Sequence, residues 1–128
     1  MEAFKVEHGS WTNAFGFRFT TSDKTIVISG DTRPCDNILK YAKGADILIH
    51  EVYSYEKWLK RNEFWQKYHA ANHTSTHELA KLAGKAKPGK VVLYHILFWG
   101  ASEEDLLNEI SEKYNGDVVV GRDFMVIE

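Results

Sequence analysis

Six histidines and a few carboxylates are the side chains in this sequence whose placement suggests chemistry. Asp31 follows the β-branched run 25–29 in Ser29-Gly30-Asp31-Thr32-Arg33. A carboxylate held at the end of a rigid strand and presented on a loop can ligate a metal ion. It can equally bond its own turn or cap the next helix. His95 ends the apolar run Val91-Val92-Leu93-Tyr94, where an imidazole suits zinc or serves as a core histidine with one partner. His50 and Glu51 end the apolar run Asp46-Ile47-Leu48-Ile49. Two ionisable groups beside a buried strand are costly unless paired. His50 can orient a neighbour and Glu51 can accept from one behind a site, or the two form a structural pair. His73 precedes a helix N-terminus, which suits a proton donor beside a phosphate. His69, His73 and His77 are spaced by four, but Ser75 starts the helix, so no shared stripe is expected and His77 reads as a solvated helix residue. No H-x-H-x-D-H, H-E-x-x-H, glycine-rich phosphate loop or cysteine pair is present.

These residues need an α/β scaffold. Ala14–Thr20 carries Phe15, Phe17 and Phe19 at alternate positions, which puts three rings on one face of a strand. The run 25–29 completes an antiparallel hairpin through Ser22-Asp23-Lys24. Helices are expected over 36–43, with Gly44 ending the first, over part of 54–68, over 75–85 with Ser75 and Glu78 as a capping box, and over 102–114. Buried strands are expected over 45–52 and 91–96, with short ones over 117–120 and 124–127, and 69–74 is read as irregular. The order β-β-α-β-α-α-β-α-β-β is that of a layered α/β fold.

Composition restricts the setting. The chain has 128 residues with 44% hydrophobic and 27% charged residues, which fits one globular domain. A formal net charge of −2 gives no general attraction to nucleic acid. Lys57, Lys60, Arg61 and Lys67 form a local basic run, expected to be a solvated helix face. Cys35 is the sole cysteine, which suits a reducing compartment. No signal-peptide pattern appears, and no apolar stretch approaches the ~18 residues of a membrane span. A cytoplasmic protein is expected.

Taken in order, Ser-Gly-Asp-Thr-Arg (29–33), Ile-His-Glu-Val (49–52), His-Thr-Ser (73–75) and Leu-Tyr-His (93–95) resemble landmarks of the ribonuclease Z group in the metallo-β-lactamase superfamily. His8-Gly9 and Ala14–Phe19 resemble the segment leading into them. The resemblance implies an α/β fold: one half of an αββα sandwich, a mixed sheet with helices packed on one face. It implies a single domain over 1–128 that is the C-terminal half, with the N-terminal half absent. By the same resemblance the complete enzyme is a hydrolase with two zinc ions, most often cutting a phosphodiester, in ribonuclease Z that of precursor tRNA at its 3′ side. Asp31 would bridge both metals and His95 would bind one. His73 would protonate the leaving oxygen, with Glu51 supporting it.

Two departures qualify this. The H-x-H-x-D-H motif and a further histidine ligand are expected upstream of these residues, leaving Asp31 and His95 as a partial zinc site and the chain inactive alone. His-Glu-Val-Tyr also replaces the His-Glu-Ala-Thr usual in ribonuclease Z, which favours the broader group. A sulfatase-like or other ester hydrolase and a non-catalytic interaction module are the alternatives. The uncovered sheet face is expected to take a partner, either a second copy in a homo-oligomer such as a dimer or the missing N-terminal half. RNA is a substrate candidate for the full-length form, and no membrane is involved.

Overall fold

The computed structural model describes residues 1–128. Strands β1 (Glu2–Lys5), β2 (Phe15–Thr20), β3 (Thr25–Ile28), β4 (Ile47–Tyr53), β5 (Lys90–Leu97) and β6 (Val118–Val120) form one sheet in chain order. β1, β2 and β3 pair antiparallel, while β3 to β6 run parallel. Parallel neighbours need crossovers. Helix α1 (Asp36–Ala42) links β3 to β4. Helices α2 (Tyr55–Leu59), α3 (Glu63–Asn72) and α4 (Thr76–Ala86) link β4 to β5, and α5 (Glu103–Ser111) links β5 to β6.

Period-two alternation gives the sheet two unlike faces. Val27, Leu48, Val91 and Val118 lie in one register row. The first three are buried in the core beneath α1, α4 and α5, with Ile38, Leu79, Leu82 and Ile110. Helix α4 places Leu79, Ala80, Leu82, Ala83 and Ala86 on the sheet at helical spacing, and its alanines allow close approach. The expected Ser75–Glu78 capping box forms in full, and Ser102 with Asp105 builds a second one on α5. The opposite row is Phe17, Ile28, Ile49, Val92 and Val119. No helix covers it, and Phe17, Phe19, Ile26, Ile28 and Ile49 remain half-buried while Phe15 is exposed. The mixed sheet with helices on one face agrees with expectation.

Four local expectations change. Residues 2–5 form β1, an edge strand too short to show a periodicity. The segment 124–127 is not a strand: Phe124 has φ 63° and Val126 is exposed, so nothing pairs with them. Residues 69–72 are the last turn of α3 and not irregular. His77 is not solvated: its ring stacks on Tyr55 at 4.2 Å and bonds Glu112 Oε2 at 3.0 Å. No helix is long and apolar enough to cross a membrane.

His50 points to the helix side of β4 and is wholly buried. Its Nδ1–H donates to the Glu51 carbonyl at 2.7 Å, and its Nε2 has no partner. Burial holds it neutral, with its pKa pushed down to about 4 despite that bond. It is a structural residue of the strand and does not reach the site.

Candidate metal and proton-transfer site

The loops at the C-terminal ends of the parallel strands, where α/β sheets place their sites, meet around Glu51. Its side chain is fully buried. Oε1 accepts the Thr32 backbone N–H at 2.7 Å and His73 Nδ1 at 2.8 Å, and Oε2 accepts the Thr74 N–H at 3.3 Å. One carboxylate therefore ties the loop after β3 to the α3–α4 junction. The Thr74 hydroxyl adds a bond to the Thr32 carbonyl at 2.7 Å. Burial raises the Glu51 pKa, with His73 and the two amides opposing it. Burial by itself would lower the His73 pKa, but the bond to Glu51, its charge and that of Asp31 outweigh it and raise the value.

Asp31 sits one residue beyond Gly30, which has φ 64°. A Cβ at Gly30 would overlap the Phe15 carbonyl oxygen, so only glycine permits this turn. His95 reaches Asp31 by a different device. Glu51 pairs with Tyr94 and Val52 with Ile96, so His95 is the extra residue of a β-bulge. Its φ of 42° is rare for a non-glycine residue and turns the ring out of the strand. His95 Nδ1 stands 3.5 Å from Asp31 Oδ1, and its ring is 5.7 Å from that of His73.

The structure adds a residue absent from the expected ligand set. His8, Asp31 and His73 each offer a donor atom within 4.8 Å of the others, and Glu51, His73 and His95 form an overlapping group. Donors sharing a zinc ion at about 2.0–2.2 Å lie within roughly 4.4 Å of one another, a spacing these side chains reach with at most a small closing movement. Imidazole and carboxylate are also zinc's usual donors, so the set fits a metal ion. His8 is thus a candidate donor beside the two expected ligands, Asp31 and His95. Gly9 explains how His8 arrives: with φ 54° its N–H donates to the Ala71 carbonyl at 2.9 Å, and a Cβ there would overlap Asn72 Oδ1. Thr32 pins the other side, its hydroxyl accepting the Glu7 N–H at 3.1 Å. Burial and the neighbouring His73 lower the His8 pKa, with Asp31 opposing them; the net direction favours the neutral ring that metal ligation needs. The sequence signal was the His-Gly pair itself, a histidine beside a glycine just upstream of a strand.

All four residues expected at the site, Asp31, Glu51, His73 and His95, are brought together. His69 belongs to its wall: Nδ1 bonds the Trp65 carbonyl at 2.8 Å and its ring lies 6.1 Å from that of His73. An open cleft of about 1040 Å³ starts at Gly9, next to His8, and runs past Trp11, Arg33, Phe64 and Tyr68. The arrangement can hold a metal ion against one wall and offer a buffered proton from the other.

Ribonuclease Z of Mycobacterium tuberculosis (strain H37Rv) is 29% identical over 125 residues, which cover 96% of this chain and 46% of that protein. The chain thus spans about half the length of the curated relatives it matches. The metallo-β-lactamase fold protein YhfI from Bacillus subtilis superposes with a TM-score of 0.80 at 21% identity, covering 98% of this chain and 48% of that one. The short form of human tRNase Z superposes with a TM-score of 0.63 at 25% identity, covering 98% and 40%. Residues 1–96 match the family model described as the beta-lactamase superfamily domain. With three-quarters of its length inside that family model and the landmark residues gathered at one site, the chain belongs to the β-lactamase superfamily and is ribonuclease Z-like.

Proposed function

We propose that this chain supplies one wall of a metal-dependent phosphodiesterase site of the ribonuclease Z type, with precursor tRNA cut at its 3′ side as the finer reading. The observation that carries it is the buried Glu51–His73 pair at 2.8 Å, with His8 and Asp31 grouped around His73 and His95 standing 3.5 Å from Asp31. His8, Asp31 and His95 would hold zinc. A bound zinc ion supplies Lewis-acid polarisation and a nucleophile at neutral pH.

The chain's own part is proton management. Glu51 accepts the His73 Nδ1–H, fixing the tautomer and leaving Nε2 as the atom that carries the mobile proton. The negative charge of Glu51 favours the imidazolium, so His73 is suited to pass that proton to the leaving oxygen. Glu51 acts through His73 and is a positioning residue. Cys35 is a free thiol, and action in the cytoplasm is part of the proposal.

Three protein ligands normally complete one catalytic zinc site, whereas a two-ion site needs more than this chain holds. The chain is proposed to be inactive alone. The test is reconstitution with a segment bearing H-x-H-x-D-H, either read in frame upstream of Met1 or taken from the N-terminal half of a ribonuclease Z. Zinc-dependent hydrolysis of bis-p-nitrophenyl phosphate should appear only in the mixture. A folded complex with bound zinc and no hydrolysis would favour the non-catalytic interaction module, and cleavage of sulfate esters alone would favour the sulfatase-like reading.

A further inference from the structure

The basic run 57–67 is not the uniform solvated face that its composition suggests, because Arg61 is half-buried and its Nε is enclosed. Its guanidinium carbon lies 4.5 Å from the Trp99 ring centroid and 5.9 Å from that of Trp65. None of the chain's seven ion pairs includes it, and its Nε is buried with no hydrogen-bond partner. A buried, unbonded donor on a permanent cation is costly and calls for an acceptor. Trp99 is itself held with φ 47°, four residues after the bulge at His95. Backbone strain in a bulky residue persists only where its surroundings impose it. The Trp99 ring packs 4.6 Å from His69, which lies beside His73. A file of flat groups therefore runs from Arg61 through Trp99 and His69 to the proton donor.

We propose that Arg61 binds a non-scissile phosphate of the substrate, an inference that rests on the phosphodiesterase reading and narrows it to substrates with more than one phosphate. Trp99 at 4.5 Å and, more distantly, Trp65 at 5.9 Å pack against the guanidinium, and none of its N–H groups is bonded within the chain. Two parallel N–H donors match two phosphate oxygens. The rings fix the rotamer before the ligand arrives, so little side-chain freedom remains to be lost on binding. A simple neutral-armed diester gains nothing from Arg61, whereas an oligonucleotide does.

The test uses the intact 128-residue chain and two probes, thymidine dinucleotide with and without a 5′-phosphate, read by tryptophan fluorescence and calorimetry. The phosphorylated probe should bind about tenfold tighter. Arg61→Met should remove that preference while Lys67→Met leaves it, and Arg61→Lys should retain part of it. Equal binding of both probes by the unaltered chain, or a preference that survives Arg61→Met, overturns the proposal. Loss of the folded circular-dichroism signal in both Arg61 variants makes Arg61 a packing residue and overturns it too. A preserved preference with no hydrolysis after reconstitution would instead sink the hydrolase reading and leave the phosphate site standing.

Discussion

Replacing Glu51 with leucine is expected to cost about 3–5 kcal/mol of stability, because it removes one partner of a buried charged pair. The size follows from what the carboxylate does. It is fully buried and accepts two backbone amides and one imidazole nitrogen. Leucine fills much of the volume but leaves the Thr32 and Thr74 N–H groups unpaired in the interior. Glu51→Gln keeps an acceptor oxygen, so its loss should be roughly half as large. Urea unfolding of the chain reads both values. In the reconstituted enzyme, His73→Ala should lower kcat by about 10²–10⁴-fold, as expected for loss of a general acid. Glu51→Gln should lower it by roughly tenfold or more through His73. Equal stability of Glu51→Leu and the unaltered chain would mean that the carboxylate is not the hub of these loops.

The second large effect concerns the sheet face opposite the helices. Phe17, Ile28 and Ile49 lie side by side there with no element over them, while Met125 and Ile127 of the C-terminal segment reach only the Ile49–Val92 end. A contiguous apolar surface of this kind marks an interaction site. The isolated chain is expected to associate through it, as a dimer or larger, and to bind a hydrophobic dye. Phe17→Asp places an unpaired charge at its centre and should weaken association by about thirtyfold or more. Adding the N-terminal half of a ribonuclease Z should displace self-association, since both would use one face. A monodisperse monomer by light scattering with no dye affinity would contradict this.

The elements of the fold were legible where periodicity was strong. Phe15, Phe17 and Phe19 marked a strand with one apolar face, and Ser75 with Glu78 marked the start of α4 because a capping box is a local hydrogen-bond pattern. Residues 124–127 misled because an apolar tail reads as a strand, whereas pairing depends on a neighbour that no local pattern reveals. Residues 69–72 were polar enough to resemble a loop, yet Trp65 and Tyr68 extend α3 through them, with Asn72 Nδ2 bonding back to Tyr68 O at 2.8 Å.

The site was legible in part. Asp31, Glu51, His73 and His95 stand at strand or helix ends, which sequence can place. His8 could not be assigned from spacing, because it lies outside any regular element and reaches the cluster through contacts of Gly9 with α3 and of Glu7 with Thr32. Arg61 was hidden for the same reason: a lysine-rich run gives no hint that Trp99, 38 positions downstream, folds over one member.

Titration of the purified chain with zinc, read by calorimetry and elemental analysis, tests the central claim most directly. One ion per chain is expected, with binding lost in Asp31→Ala and weakened by about tenfold or more in His8→Ala. Binding undiminished in Asp31→Ala, or two tight ions in a monomer, would contradict a partial metal site built on Asp31.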